Sequence, residues 1–230
     1  MNDDVKFRHE LKYLISAAQV KEIQNRLNHM IPLDSHVGDG GIYNIRSLYF
    51  DDYNDRCLHE NEDGTDPREK FRIRIYNHSP ERISLECKRK ERGKTLKTSC
   101  RLTQEETRKL MRGEALTGIS DMPPVCRKFT LEMMTNRMHP VVIVEYERIP
   151  YVYKNGNVRI TLDMNMSSSS HISGFLDGEV PKRPIMPAGM HLLEVKYDEY
   201  LPDFIYHNLQ LENLRQTAYS KYYLCRKYAL

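Results

Sequence analysis

The sequence predicts an α+β domain, mostly antiparallel, in which short strands form a closed barrel or a strongly curled sheet with helices packed outside. Two observations carry this prediction. Eight short segments alternate apolar and polar residues, which indicates strands, and other segments have the helical period of about 3.6 residues. The strand segments are residues 5–15, 42–51, 69–77, 82–91, 95–102, 140–150, 157–164 and 189–198.

The first helix is predicted directly after the first strand. Ser16 is a residue type that caps helices, and Val20, Ile23, Leu27 and Met30 follow it on one face at helical spacing. One apolar face is what a helix needs in order to pack on a sheet. This segment is therefore expected to cover the apolar side of the neighbouring strands.

Further helices are predicted in the rest of the chain. Thr103 and Glu106 have the spacing of a capping box, and Gly113 limits the helix that follows them to a short one. Three more helical segments have an apolar face and suitable start signals. They begin near Pro124 and cover residues 202–214 and 218–229.

Turn and loop signals separate these elements. Gly93 predicts a hairpin turn, and the acidic segment DDYND at residues 51–55 is interpreted as a turn after a strand. Residues 166–187 are rich in Ser, Gly and Pro and have no clear period, which predicts a long, mobile surface loop. No linker divides the sequence, so we expect a single domain over residues 1–230.

Composition and charge exclude several classes of protein. Hydrophobic residues make up 40% and charged residues 29% of the 230 residues, as is ordinary for a globular domain. The formal net charge is only +3, which does not indicate a surface that coats nucleic acid. Five cysteines without a CxxC pair favour neither a disulfide framework nor a zinc site. Without a signal segment or a bilayer-spanning apolar run, a soluble cytoplasmic protein is expected.

Charged residues of the predicted strands fall on one face, because residues i and i+2 of a strand point to the same side. Arg72 and Arg74, for example, alternate with Ile73 and Ile75. For one strand, a sheet with a single face in water explains such a pattern well. Five strands repeat it, however. Their charged faces hold Glu10 and Lys12; Arg72 and Arg74; Ser84, Glu86, Lys88 and Lys90; Arg159, Thr161 and Asp163; Glu194 and Lys196.

If the sheet closes, the charged face lines its interior. Cations crowded into such a cavity repel one another unless an anion neutralises them, and guanidinium and ammonium groups suit phosphate oxygens. The pattern therefore predicts binding of a chain of phosphates. Carboxylates on the same face are candidate ligands for Mg²⁺ or Mn²⁺, although salt bridges explain Glu10 and Glu86 equally well. The candidates are Glu10, Glu86, Asp163 and Glu194.

Motifs along nearly the whole chain match one family in order and spacing. They are RHELKYLIS, IRSLYFDD, FRIRIYN, SLECKRK, VEYERIPY, VRITLD, LLEVKY with LPDFI, and AYSKYYLCRK. In these motifs the chain resembles the VTC-type polyphosphate polymerase domain of the triphosphate tunnel metalloenzyme superfamily, which is related to the CYTH phosphohydrolases. The resemblance implies an eight-stranded antiparallel β-barrel tunnel with helices packed outside. It also implies ATP and a divalent metal, Mn²⁺ or Mg²⁺, in the tunnel, with transfer of the terminal phosphate to a growing polyphosphate chain.

The resemblance further implies roles for individual residues. Glu194 matches the metal ligand, and Lys221 matches a lysine that the family uses catalytically at the tunnel mouth. Ala218 stands where fungal members of the family carry a further lysine. This difference affects how an acceptor chain would be held. Arg8 replaces the first Glu of the CYTH ExExK signature, which favours the VTC-like branch. The residues implied to bind the triphosphate are Lys12, Arg72, Arg74, Lys88, Lys97, Arg148 and Arg159.

Three alternatives to a polymerase stay open at this stage. A hydrolase of the same tunnel fold would use water as the acceptor for tripolyphosphate or a nucleoside triphosphate. A non-catalytic module would bind polyphosphate or another polyanion, and a structural domain would only salt-bridge its sheet. RNA is disfavoured because few aromatic residues point the same way as the cations. We expect ATP and inorganic polyphosphate as partners, no nucleic acid, and no membrane insertion by the chain itself, so any membrane association needs a separate partner.

Overall fold

The computed structural model describes residues 6–38 and 40–228. These residues form an antiparallel sheet of eight longer strands to which a short ninth strand is attached. The strands are β1 (His9–Ser16), β2 (Tyr43–Asp51), β3 (Arg68–Tyr76), β4 (Ser79–Glu91), β5 (Lys94–Leu102), β6 (His139–Tyr153), β7 (Val158–Ser169), β8 (Arg183–Pro184) and β9 (Met190–Tyr197). The helices are α1 (Ala17–Leu27), α2 (Arg56–Glu62), α3 (Gln104–Met111), α4 (Pro124–Asn136), α5 (Asp203–Asn208) and α6 (Lys221–Tyr228).

The eight longer strands follow one another in the order β1-β9-β7-β6-β2-β3-β4-β5, and each neighbouring pair is antiparallel. The two edges of this sheet meet at one end. There, Arg8 beside β1 and Thr95 of β5 exchange backbone hydrogen bonds of 2.9 and 2.8 Å. The sheet therefore curls round on itself. The predicted eight-stranded antiparallel tunnel architecture with helices outside is confirmed.

Local signals in the sequence located most elements. Ser16 and Thr103 both form the capping boxes that begin α1 and α3. Helix α1 buries its predicted apolar face, but Met30 lies beyond its end and is exposed. Helix α2 was not predicted. The predicted strand start at residue 5 and the helix end at residue 229 lie outside the described residues.

The apolar core lies between the outer face of the sheet and the helices. Ile73 and Ile75 of β3 are fully buried in a cluster that also contains Leu110 of α3 and Phe129 of α4. The arginines between and beside these isoleucines point to the opposite face. The helices thus cover the apolar side, and the charged side is left to line the interior. No helix within the described residues combines the length and apolarity needed to cross a membrane.

The prediction of a long, mobile surface loop at residues 166–187 is wrong at its start, because residues 166–169 belong to β7, whereas much of the remaining segment is exposed. The segment begins inside β7, where the residues up to Ser169 are buried, and its Phe175 is fully buried. Arg46 of β2, which is also fully buried, fixes the middle of the segment by donating hydrogen bonds to backbone oxygens. These belong to Gly174, Phe175, Asp177 and Gly178. Composition does not reveal this anchor because it comes from a distant strand.

Replacing Arg46 by alanine is expected to destabilise the protein by about 3–5 kcal/mol, as removal of one partner of a buried ion pair does. The change removes one guanidinium group. This group donates hydrogen bonds to the loop, and its Nε lies 2.6 Å from Oε2 of the buried Glu145. Urea unfolding measures the loss. The control is Arg112→Ala in an exposed pair with Glu114, and this variant is expected to unfold at the same urea concentration as wild type. Equal losses in both variants would contradict the anchoring role.

Candidate active site: a cationic cavity inside the sheet

The inner face of the curled sheet encloses a cavity of about 1360 Å³. Among the described residues that line it, fourteen are lysine or arginine and three are aspartate or glutamate. The whole chain has a net charge of only +3, so positive charge is concentrated inside the sheet. A cleft lined by one sign of charge focuses its field and attracts counter-ions. The cavity is therefore suited to a polyvalent anion.

Every residue to which the family resemblance gave a role lines this one cavity, whereas of the other candidate metal ligands only Glu10 does, and Glu86 and Asp163 do not. The residues with such a role come from seven strands and from helix α6, so the curling of the sheet brings together residues far apart in sequence. What each one binds stays a prediction. The set is Lys12, Arg72, Arg74, Lys88, Lys97, Arg148, Arg159, Glu194 and Lys221.

Glu86 of β4 lies at the centre of one group of cations. Its Oε2 is 2.7 Å from Nη2 of Arg72, its Oε1 is 3.1 Å from Nζ of Lys97, and Arg74 lies 3.8 Å away. Burial alone would raise the pKa of Glu86, but the neighbouring guanidinium and ammonium groups hold it well below its usual range. This carboxylate is engaged in salt bridges. Glu86 does not line the cavity, in contrast to Glu194, and is therefore a poor candidate for a metal ligand.

Lys221, the first residue of α6, lies between two buried carboxylates. Its Nζ is 2.6 Å from Glu194 Oε1 and 2.7 Å from Asp163 Oδ2. Arg148 contacts the same Asp163 through two hydrogen bonds of 2.6 and 2.7 Å. Burial alone would lower the pKa of Lys221, but the two carboxylates raise it above its ordinary value. Lys221 is therefore a buried ammonium group, and not the solvated helix lysine that sequence position alone would suggest.

Contacts elsewhere on α6 fix the position of Lys221. The hydroxyl of the buried Tyr222 donates to Asp51 at the end of β2, and Arg226 pairs with Asp55. Asp51 also accepts the backbone N–H of Cys57, 2.8 Å away, in the first turn of α2. The acidic segment at residues 51–55 therefore holds two helices together. These contacts, and not a metal, account for its carboxylates.

Three lysines surround the carboxylate of Glu10. Lys88 Nζ lies 2.8 Å and Lys12 Nζ 3.2 Å from its oxygens, and Lys196 is its partner across the β1/β9 ladder. Burial alone would raise the pKa of Glu10, but these lysines hold it well below its usual range. Burial, with Lys12 and Lys196, lowers the pKa of Lys88 to about 7 despite the opposing effect of Glu10. Glu194 also lies 3.2 Å from Lys196 and 3.9 Å from Lys12, so two carboxylates face these three lysines.

Arg159 and Lys97 lie nearer to solvent than the other predicted binding residues. Their side chains are 35% and 53% exposed. Arg159 Nη2 lies 2.7 Å from Asp34 Oδ2 and also donates to the hydroxyl of Tyr43 at 3.0 Å. Both cations are therefore placed where an anion entering the cavity would meet them first.

Glu194 has the surroundings of a carboxylate that shares a divalent cation with phosphate. Its Oε2 lies 3.2 Å from Lys196 Nζ and 3.6 Å from Arg148 Nη2, its Oε1 lies 2.6 Å from Lys221 Nζ, and its charge acts to raise the pKa of the nearby Glu10. Within the described residues, no three His, Cys, Asp or Glu side chains gather as a metal cage. Mg²⁺ needs only one or two carboxylates when substrate phosphates supply other oxygens. Glu194, with Glu10 beside it, fits that arrangement.

Sequence reasoning missed some of the cations in the cavity. Lys70 and Arg68 precede Arg72 by two and four residues in β3, and both line the cavity. The sequence could have identified both, because the alternation of charged residues in this strand continues from Arg72 toward the N-terminus. Lys90 and Lys196 lie on predicted charged faces, and the structure places both beside the assigned residues.

Two solved structures share this fold over nearly the whole chain. A proposed adenylate cyclase from Bacillus halodurans is similar with a TM-score of 0.54 and 14% identity, covering 94% of each chain. A proposed adenylyl cyclase from Hippeastrum, described as having a dominant triphosphatase activity, has a TM-score of 0.58 and 12% identity. That alignment covers 96% of this chain and 95% of the Hippeastrum chain. At such low identities the likeness shows the fold alone.

No curated protein gives a significant match to the sequence. The family model of the VTC domain, in contrast, matches residues 7–230. That span includes every residue assigned to the site from the sequence, from Lys12 to Lys221, and confirms the resemblance that the motifs indicated. The chain belongs to the VTC domain family.

Proposed function

We propose that the protein is a metal-dependent phosphotransferase that moves the terminal phosphate of ATP onto a growing polyphosphate chain inside the cavity. The observation that carries this proposal is the large surplus of lysine and arginine in a cavity that also contains the carboxylates Glu194 and Glu10. Membership of the VTC domain family and the tunnel fold both support an enzyme acting on triphosphate. ATP and inorganic polyphosphate are the partners that this chemistry requires.

The cations would bind the donor by neutralising its phosphates. Arg72 and Arg74 present neighbouring guanidinium groups on one face of β3, and Arg148 faces them from β6. Such forks match phosphate oxygens in pairs. Both Arg72 and Arg148 are oriented by a buried carboxylate, Glu86 and Asp163 respectively, so their positions are set before the substrate arrives. Fixed charges of this kind need no reorganisation during the reaction.

A divalent metal held by Glu194 would polarise the phosphate oxygens and offset the charge that develops on them. Lys221 lies 2.6 Å from Glu194 and stays an ammonium group because its pKa is raised. It therefore stabilises negative charge on the transferred phosphate and does not donate a proton. The attacking group is the terminal phosphate of the acceptor chain, which is already ionised at neutral pH. No general base is required, so positioning and charge stabilisation account for the rate.

Incubation of the purified protein with ATP and Mn²⁺, followed by a polyphosphate-stained gel, tests this proposal. A ladder of polyphosphate that requires both ATP and metal is the expected result. A reaction that releases free phosphate and makes no polymer would contradict it. Two matched controls accompany the test. The same incubation with Mg²⁺ in place of Mn²⁺ identifies the preferred cation, and an incubation with a chelator tests whether metal is required.

A hydrolase acting on triphosphate is the second candidate, because the Hippeastrum neighbour is described as a triphosphatase. Its site would be the same cavity, with water replacing the acceptor phosphate. Phosphate release from tripolyphosphate in the absence of ATP, measured with malachite green, would favour this alternative. A polymerase is expected to release little phosphate in that assay.

A further inference from the structure

The cations of the cavity differ in how their charge is balanced. Arg72, Arg148 and Lys221 each lie against a buried carboxylate. Arg68 and Lys90, in contrast, face each other directly across the β3/β4 ladder. Like charges opposite each other in a sheet are destabilising. At this end of the cavity Asp66 acts on Lys90, and Glu60 on Arg68, only beyond ion-pair distance.

Lys70 is the central member of this second group. Its Nζ donates to Asn61 Oδ1 at 2.7 Å and to Ser220 Oγ at 3.4 Å, and it lies 4.7 Å from the centre of the Tyr222 ring. These partners are neutral. Among the described residues, neither Lys70 nor its companions Arg68 and Lys90 forms an ion pair with a carboxylate.

The second group continues the first along one face of the same strand. Arg68, Lys70, Arg72 and Arg74 are spaced two residues apart in β3, which makes a row of cations about 20 Å long. Ser220, which contacts Lys70, directly precedes Lys221 in the chain. A linear anion lying on Arg68 and Lys70 would therefore end beside Lys221.

We propose that Arg68, Lys70 and Lys90 form a binding subsite for the acceptor phosphate chain, separate from the cations that bind the triphosphate donor. This inference rests on the function proposed above. A polymerase must hold two phosphate chains at once, and the cavity contains one group of cations with carboxylate partners and one group without them. The acceptor supplies the missing negative charge to the second group. Its terminal phosphate is then directed at the donor beside Lys221.

The protonation of Lys70 supports this assignment. Burial lowers the pKa of Lys70 to about 7, with Arg68 and Lys12 acting in the same direction and Cys57 and Asp51 opposing them. A bound phosphate chain would favour the ammonium form, because an opposite charge nearby raises a lysine pKa. Binding should therefore take up a proton, and affinity for the acceptor should fall as pH rises from about 6 to about 8.

Lys70→Met is the central test, with Lys109→Met of α3, a residue that does not line the cavity, as the matched control. Initial rates are measured first with a short polyphosphate primer varied at saturating ATP, and then with ATP varied at saturating primer. We expect the KM for primer to rise about tenfold, as for loss of one charged hydrogen bond, while the KM for ATP is unchanged. Lys109→Met should match wild type in both. An equal rise in both KM values, or no rise for primer, would overturn the subsite.

Two further variants check the selectivity and folding of the subsite and identify the group that titrates. Lys90→Met should show the same selective effect on the primer, and its melting temperature reports whether the sheet still folds. Lys70→Arg keeps the charge at all pH values, so it should retain primer binding and show a smaller decline between about pH 6 and pH 8, the remainder arising from Lys88, whose pKa is also lowered to about 7. A decline as steep as that of wild type would contradict the role of Lys70.

A binding measurement separates this inference from the proposed function. Should the wild-type protein make no polymer, the transferase proposal fails, and calorimetric titration of Lys70→Met with polyphosphate and with ATP still decides the subsite. About tenfold weaker binding of polyphosphate, with ATP binding unchanged, would support a distinct chain-binding position. Equal weakening of both ligands would show that the cavity has a single anion site.

Discussion

Replacing Lys221 by methionine is expected to lower the rate of phosphate transfer from ATP by about 10²–10³-fold, the usual effect of removing one group that stabilises developing charge. The ammonium group lies between Glu194 and Asp163 and lines the cavity where the transferred phosphate would pass. Methionine has a similar length but no charge. The measurement is kcat at saturating ATP and Mn²⁺.

The same substitution leaves two buried carboxylates with one fewer cation, so some loss of stability is also expected. Lys221→Arg separates the two effects. It keeps the charge and should unfold near the wild-type urea concentration, while its planar guanidinium places the charge differently and leaves the rate low. Lys227→Met, at an exposed position on the same helix, is the neutral control. A stable Lys221→Met variant that turns over ATP at the wild-type rate would remove Lys221 from the mechanism.

Glu194→Gln is expected to lower activity by about 10²-fold at a fixed Mn²⁺ concentration and to shift the activating range to higher metal concentrations. Glutamine keeps the shape of the side chain but removes the charge that a hard divalent cation requires. Burial alone would raise the pKa of Glu194, but Lys221, Lys196 and the other nearby cations hold it well below its usual range. The wild-type carboxylate is therefore ionised throughout the neutral pH range.

Glu86→Gln is the matched control, because Glu86 is a buried carboxylate of the same interior and is 2% exposed, compared with 4% for Glu194. It pairs with Arg72 and Lys97 and is not assigned to metal. Its metal dependence should equal that of wild type, while binding of ATP weakens as Arg72 loses its orientation. If Glu194→Gln also had the wild-type metal dependence and polyphosphate binding, a non-catalytic, metal-independent binding module would explain the cavity better.

The sequence by itself determined which residues of each predicted strand share a face. Alternation in a strand is a local property, so the shared face of Arg72 and Arg74 and the burial of Ile73 and Ile75 follow from their spacing. The capping boxes at Ser16 and Thr103 are also local, since each is formed by residues three positions apart.

Only the tertiary structure decided how the interior charges are paired. The contacts of Lys221 with Asp163 and Glu194 depend on the docking of α6, which Tyr222 fixes through Asp51. Such contacts join residues that the chain separates widely, and no local pattern encodes them.

The anchoring of residues 174–178 and the grouping of Arg68, Lys70 and Lys90 without ion-pair partners have the same origin. Arg46 of β2 donates hydrogen bonds to the backbone of the loop, and the register of the β3/β4 ladder places Arg68 opposite Lys90. The sequence thus determined that a basic interior exists. The fold decided which of its cations already have a partner and which remain for a ligand, because strand register and helix docking set the distances between charges.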